Sequence, residues 1–244
     1  TVRRNTLSDF SRVKANGKLA MRLDEGDRLI GVAVCNREQD VLLNAAGGKC
    51  IRFPIRDVRV FKSRTSEGVR GIRLTPGDQV ISMSILEHGE VTTAERAAYI
   101  RYANAQRQGR DDAREFNMGQ DRGSELAAKE QFILTVTENG FGKRTSAYEY
   151  RTAGRGGQGI INIETSSRNG NVIAAFPVQE KDQIVLMTDG GQVIRCPVND
   201  IRIAGRNTQG VTLFRVNNDE HVVSVARLDE AEESPGGENG SSPS

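Results

Sequence analysis

Ala153-Gly154-Arg155-Gly156-Gly157-Gln158-Gly159 returns fifty-one residues later as Ala204-Gly205-Arg206-Asn207-Thr208-Gln209-Gly210, with five of the seven positions identical. Glycine lets a backbone adopt positive φ and lie close against a bulky partner. An arginine in such a loop offers a planar fork of donors suited to phosphate. One such loop reads as a tight turn between strands. Its recurrence at a fixed interval points to a repeated unit that meets a long anionic polymer several times.

Working outward, the flanking segments recur in the same order. Asp40-Val-Leu-Leu, Gly48-Lys-Cys-Ile-Arg52, Gly71-Ile-Arg-Leu and Gly77-Asp78-Gln-Val-Ile form one set. Gln131-Phe-Ile-Leu, Gly140-Phe-Gly-Lys-Arg144, Gly159-Ile-Ile-Asn and Gly170-Asn171-Val-Ile form a second. Gln183-Ile-Val-Leu, Gly191-Gln-Val-Ile-Arg195, Gly210-Val-Thr-Leu and Glu220-His-Val-Val form a third. The N-terminal stretch joins midway, with Arg4, Ala20-Met-Arg-Leu and Gly26-Asp27-Arg-Leu-Ile. The equivalent arginines Arg4, Arg52, Arg144 and Arg195 are 48, 92 and 51 residues apart, the middle interval being one repeat plus an insertion. Three full repeats and one lacking its opening strand are therefore expected, and with Thr1 in place of an initiator the chain reads as a piece of something longer.

Within each unit the apolar runs are short, rich in Val and Ile, and bounded by Gly, Asn or Asp, which predicts strands joined by tight turns. Hairpins are expected around Asn139-Gly140 and Asp189-Gly190. Several short strands per repeat of about fifty residues predict an all-β, propeller-like array of about four blades spanning residues 1–229. An insertion covers about 87–130. Its Thr92-Thr-Ala-Glu95 suits a capping box, the run to Arg107 favours helix, Gln108 to Gly123 reads as loose, and Ser124 to Glu130 starts a second short helix. Residues 230–244, dominated by Glu, Ser, Gly and Pro, are expected to be a disordered acidic tail.

The net charge of +2 is unevenly spread. Residues 1–78 carry 16 basic against 9 acidic side chains and 131–215 carry 10 against 7, whereas 216–244 carry 1 against 7. Basic folded segments beside an acidic tail fit a polyanion binder. No apolar run is long enough to span a membrane and no leader opens the chain, so a soluble, intracellular protein is expected. Cys35, Cys50 and Cys196 are odd in number and lie in apolar runs, which suits core packing, and His88 and His221 lack a metal-binding partner at suitable spacing.

The sequence offers no nucleophile–base set and no phosphate loop of the Walker type, so an independent enzyme is disfavoured. Tyr99 and Tyr102 are expected on the surface of the insertion helix, with Tyr148 and Tyr150 in a core or rim role. The candidate DNA-binding cations fall into two sets. Arg4, Arg52, Arg144 and Arg195, with neighbours Arg3, Lys49 and Lys143, sit at equivalent strand positions. Arg12, Lys14, Lys18, Arg64, Arg70, Arg155 and Arg206 sit in loops. Equivalent positions on blades around an axis would form a belt able to follow a duplex backbone and bend it, reading charge and deformability.

Gly68-Val-Arg-Gly-Ile-Arg-Leu74, Asn139-Gly-Phe-Gly-Lys-Arg144, Ser167-Arg-Asn-Gly170, Asp189-Gly190 and Gly205-Arg-Asn-Thr-Gln-Gly-Val211 resemble the C-terminal domain of the DNA gyrase A subunit, over Val2 to about Asp229. The resemblance implies a β-pinwheel whose basic rim wraps double-stranded DNA, so that a cytoplasmic holoenzyme of two A and two B subunits introduces negative supercoils. It implies no cofactor in this chain, ATP and Mg²⁺ acting elsewhere in the holoenzyme. The family's wrapping motif, Gln-Arg-Arg-Gly-Gly-Lys-Gly, is matched only in part by Ala153 to Gly159, which keeps Arg155, Gly156, Gly157 and Gly159. The C-terminal domain of the topoisomerase IV A subunit and a propeller-like protein-interaction scaffold are the alternatives.

Overall fold

A computed structural model describes residues 1–110 and 119–228; the centre of the expected loose stretch and the expected acidic tail lie outside the described residues. Three antiparallel sheets follow one plan. The first repeat supplies β1 (Gln39–Ala45), β2 (Lys49–Pro54) and β3 (Val80–Glu87). The second supplies β4 (Phe132–Thr137), β5 (Phe141–Ser146), β6 (Ile160–Ile161) and β7 (Val172–Val178). The third supplies β8 (Gln183–Thr188), β9 (Val193–Pro197), β10 (Val211–Thr212) and β11 (Val222–Leu228).

The sheet orders are β3-β1-β2-β6, β10-β5-β4-β7 and β11-β8-β9. The second and third repeats thus each donate one short strand to the sheet before them: β6 pairs with β2, and β10 with β5. Both expected hairpins form, Gly140 (φ 76°) and Gly191 (φ 86°) supplying the left-handed turn residues. A bulge recurs at one place in each repeat, at Asn44/Ala45, Val136/Thr137 and Val222/Ser224.

The opening strands β1 and β4 are buried on both faces, because each sheet is packed on either side. Leu42, Leu86, Ile133, Val172 and Ala175 fill the space between the first and second sheets. Leu134, Val136, Ile184, Leu186 and Val222 fill that between the second and third. A polar bridge crosses the first seam: buried Asn162 donates to Asn44 Oδ1 and Thr135 Oγ1, each at 3.1 Å, and accepts from the Tyr150 hydroxyl at 2.6 Å. Each buried polar group here has its partner, as burial requires.

Residues 11–38 form no strand, contrary to expectation. In the other repeats the equivalent strands β3, β7 and β11 pair with the opening strands β1, β4 and β8. Ile30, Val32 and Val34 pair with no strand among the described residues and are exposed. Cys35 is likewise exposed rather than in the core; Cys50 is buried and Cys196 half-buried.

The insertion is a helical hairpin of α1 (Thr93–Arg107) and α2 (Gln120–Ala128). Thr92 and Glu95 form the predicted capping box. The second helix begins earlier than expected. Tyr99 is buried rather than on the surface, its ring edge-on to Tyr148 at 5.0 Å and its hydroxyl donating to Glu130 at 2.8 Å.

Candidate nucleic-acid interface

The glycine loops are the crossovers by which one repeat reaches the sheet of the one before. Gly68, Gly159 and Gly210 hold φ of 96°, 74° and 78°. A Cβ on each would lie 2.4 Å from Val2 O, 2.3 Å from Cys50 O and 2.8 Å from Gly142 O respectively, atoms at equivalent places on the preceding repeat. Only glycine fits both the conformation and the approach. The bulky partner these glycines admit is thus the neighbouring strand. Ala153 N donates to Arg52 O at 2.9 Å and Gly156 N to Gly71 O at 2.6 Å, while Gly157 O accepts from Arg73 N at 2.8 Å.

Two of the strand arginines expected on a DNA belt lie inside the fold. Arg52 is buried, with Nε on Asp40 at 2.7 Å, Nη1 on Ala147 O at 2.9 Å and Nη2 on Glu87 O at 2.8 Å. Arg144 is buried with Nε on Ile201 O at 2.7 Å and Nη2 on Asn199 O at 3.1 Å. Each reaches the 3-10 turn of the following repeat, Ala147–Glu149 or Val198–Asp200. They are pegs across the seams, held by carbonyls of the neighbouring repeat and, for Arg52, by the Asp40 carboxylate, while Arg144 Nη1 lies 3.7 Å from Glu180. Arg195 occupies the same position on β9, where no donated strand follows among the described residues; it is exposed and donates to Gln183. Arg4 is half-buried beside Val60.

One residue before Arg144 and before Arg4 stands a second organising position. Lys143 is fully buried, its Nζ on Gly205 O (2.6 Å), Arg206 O (2.7 Å), Thr208 O (3.3 Å) and Thr208 Oγ1 (3.2 Å). Arg3, its equivalent, donates to Ser66 O at 2.6 Å and to Ser63 O. Counted back from the positive-φ glycines Gly68 and Gly210, these are the same two carbonyls of the two loops, five and two residues before. Arg3 and Lys143 therefore clamp loops from within and do not face a ligand. Burial pushes the Lys143 ammonium down to about 7, against the pull of Glu149. Burial pushes the neighbouring Cys50 thiol up to about 12.

The loops carry arginines at one repeated place, four residues before the same glycines: Arg64, Arg155 and Arg206. Arg155 is exposed, steadied by Asp57 O (3.0 Å) and Arg70 O (3.1 Å), with Nη2 left open. Arg206 is half-buried, with Nη1 on Ile161 O at 2.5 Å and its backbone N on Glu149 Oε2 at 2.9 Å. Arg64 is half-buried. Arg12, Lys14 and Arg70 are exposed; Lys49 is half-buried, as is Lys18, which donates to Ser11 O at 2.9 Å.

A second repeated set was missed from the sequence. Arg59, Arg151 and Arg202 each follow the residue that closes a 3-10 turn, and all three are exposed. They stand seven residues after Arg52, Arg144 and Arg195, so the repeat register contained them. With the loop arginines they place two repeated cations in each of three successive repeats, the second set exposed throughout and the loop set half-buried at Arg64 and Arg206. No helix of the described residues is long and apolar enough to cross a membrane.

Residues 1–36, 40–87, 131–179 and 182–229 match the family model described as DNA gyrase C-terminal domain, beta-propeller; the matched segments are the repeats, and the helical hairpin falls between them. The DNA gyrase A subunit of Granulibacter bethesdensis (strain ATCC BAA-1260 / CGDNIH1) is 50% identical over 252 residues, covering 95% of this chain and 27% of that protein. The DNA gyrase A subunit of Escherichia coli (strain K12) is 38% identical over 230 residues, covering 94% and 22%. The chain thus spans about a quarter of the length of these curated relatives. A solved DNA gyrase A C-terminal domain matches with a TM-score of 0.63 at 20% identity, over 88% of this chain and 59% of that one. A solved C-terminal domain of DNA topoisomerase IV matches with a TM-score of 0.67 at 17% identity, over 90% and 56%. These structures share the fold of interlocked blades, and on the strength of the four matched repeats this chain belongs to the DNA gyrase C-terminal domain family of β-propellers.

Proposed function

We propose that this chain binds duplex DNA along its outward arginines and bends it around the array of blades, as the C-terminal domain of a DNA gyrase A subunit. The observation that carries the reading is the pair of repeated positions, Arg59/Arg151/Arg202 and Arg64/Arg155/Arg206, which set cations at the spacing of the repeats. Such an arrangement meets the phosphates of a stiff polyanion at regular intervals and carries no base-reading pattern. Bending a site of a few tens of base pairs costs on the order of 1–6 kcal/mol, which several charge-assisted phosphate contacts can offset. The curated relatives, named as A subunits of DNA gyrase, support placing the chain in a type II topoisomerase. In that setting it works in the cytoplasm beside the rest of its own A subunit, a second A subunit and two B subunits. ATP hydrolysis and strand breakage belong to other parts of the assembly.

The test is binding of the full chain to a linear duplex of about 100 base pairs, shorter than the persistence length of about 150 base pairs, across a salt series. A steep fall of log affinity with log salt is expected, because each phosphate neutralised contributes about 0.9 to the slope. Closed circular DNA relaxed by a nicking-closing enzyme in the presence of the chain should keep a changed linking number. Absence of binding at low salt, or a flat slope, overturns the reading in favour of a protein-interaction scaffold.

A further inference from the structure

The second and third crossovers, 153–159 and 204–210, each lie against a 3-10 turn of the preceding repeat, Ile55–Asp57 and Ala147–Glu149, and each turn ends on an acidic residue. The two loops use that acid differently. At the third crossover the Glu149 side chain reaches over the loop: Arg206 N donates to its Oε2 at 2.9 Å, and a Cβ on Gly205 would lie 3.4 Å and 3.5 Å from its two oxygens. The loop thus presents the backbone N–H of its arginine to an anionic oxygen. At the second crossover the acid is Asp57, exposed and one methylene shorter. Its carboxylate forms no hydrogen bond or ion pair among the described residues; its backbone O meets the loop instead, accepting from Arg155 Nε at 3.0 Å. The Arg155 N–H has no acceptor among the described residues, and Nη2 of the same side chain is open.

The glycines of the second crossover point the same way. Gly156 and Gly159 hold φ of 81° and 74°, so the fold itself calls for glycine there. Gly154 and Gly157 have no such cause. Neither has positive φ; a Cβ on Gly154 meets nothing within 4 Å, and one on Gly157 meets Ile51 Cδ1 at 3.7 Å, an ordinary contact. Both are exposed and stand on either side of Arg155. Glycine that the chain's own packing does not require leaves the backbone bare for an outside group to come close. The equivalent places elsewhere are taken up internally. Gly205 lies beneath the Glu149 carboxylate, and Thr208 holds Lys143 Nζ through O and Oγ1. At the first crossover these places are Ser63 and Ser66, whose hydroxyls accept from Thr65 N and Gly68 N, each at 3.2 Å.

We propose that the crossovers are unequal: the second is a seat for a backbone phosphate, offered the N–H and Nη2 of Arg155 between Gly154 and Gly157, while Glu149 fills the equivalent seat of the third from within. A backbone N–H beside a guanidinium suits an anionic oxygen, and the Glu149 carboxylate already takes that donor one repeat further on. This rests on the DNA-binding reading above and ranks the loops that reading treats alike. The length of one acidic side chain, Asp57 or Glu149, decides which loop is free to hold DNA closely.

The test exchanges the two acids without changing net charge, using the full chain and the same duplex and salt series. Asp57→Glu should lower affinity several-fold at low salt and reduce the slope by about 0.9, one phosphate's share. Glu149→Asp should raise both by similar amounts. Asp200→Glu makes the same exchange on the turn Val198–Asp200, which no crossover loop follows among the described residues, and should change neither. Gly154→Ala combined with Gly157→Ala should weaken binding while thermal melting stays close to that of the unmodified chain. Asp57 is exposed, so Asp57→Glu should melt like the unmodified chain and decides by itself even if Glu149→Asp melts lower. An unchanged slope in Asp57→Glu, while the unmodified chain binds steeply, overturns the seat. So does an equal loss in Asp200→Glu, which would make the effect one of acid length at any turn. Failure of the unmodified chain to bind overturns the DNA reading itself, and the seat with it.

Discussion

Lys143 shows how a basic residue in a DNA-binding family can serve the protein rather than the nucleic acid. Three carbonyls of one loop converge on its Nζ, and no water-facing surface is left to it. Replacing it by Met leaves those carbonyls without their donor, which costs about 2–3 kcal/mol for groups that lose a hydrogen bond to a charged partner. The pH dependence carries a definite sign. The ammonium is lowered from 10.5 to about 7 in the folded chain, so between those values the unfolded chain holds a proton that the folded chain has released. Stability contributed through this group therefore rises as pH increases from about 7 towards 10, and is least below 7. Thermal melting of the unmodified chain and Lys143→Met from about pH 6 to about pH 9.5, a window spanning the lowered value, should show the gap between them widening with pH; a gap that narrows would contradict the assignment. Arg3, clamping the equivalent carbonyls at the first crossover, keeps its charge throughout this range and shows why one position accepts either cation.

At the scale of the element, the crossover is what turns separate four-stranded units into one array. It was only half legible in the sequence. The Ala-Gly-Arg recurrence marked the loops and gave the repeat length, and the Gly140 and Asp189-Gly190 turns gave the hairpins. The donated strands β6 and β10 are two residues long, too short to show any period, so their pairing with the preceding sheet left no signal. Spacing placed Arg52 and Arg144 at equivalent positions and could not say which way they point. Asp40, buried and also accepting from His88 at 2.8 Å, is what draws Arg52 inward. Tyr99 was misread for a related reason: a helix read by itself shows its own faces, whereas its burial comes from a 3-10 turn in another segment. The crossover glycines can be tested against one another. Gly159→Ala forces a side chain into left-handed backbone and against Cys50 O, and should destabilise by about 2–4 kcal/mol. Gly154→Ala, five residues earlier in the same loop, meets nothing within 4 Å and should stay within about 0.5 kcal/mol. Denaturant midpoints of the two variants provide the comparison, and equal midpoints would mean that the loop is not held against β2.

For the whole molecule, the question is whether the outward arginines act as one surface. Arg59, Arg151 and Arg202 belong to three different repeats, each following a 3-10 turn, and the turns before Arg151 and Arg202 are pegged by Arg52 and Arg144 of the repeat behind, so their relative placement is set by the repeat geometry. Arg59 also stacks over Phe61 at 4.4 Å, which steadies its guanidinium at the first of the three positions. If DNA follows this line, each arginine meets a separate phosphate and the three contributions to the salt slope add, because sites this distinct share no partner. The triple replacement Arg59→Ala, Arg151→Ala, Arg202→Ala should then lower the slope by about 2.7, and each single replacement by about 0.9. Melting temperature should move little, since all three side chains are exposed. A molecule that merely attracts DNA by net charge would behave differently: any three surface arginines would do, and removing Arg28, Arg37 and Arg215 instead would flatten the slope equally. Duplexes of about 20 and about 100 base pairs, both below the persistence length, separate the two cases further, the shorter one reaching fewer repeats and so losing less from the triple replacement. Equal losses on both lengths would mean that the arginines act singly and that the array does not bend DNA across successive blades.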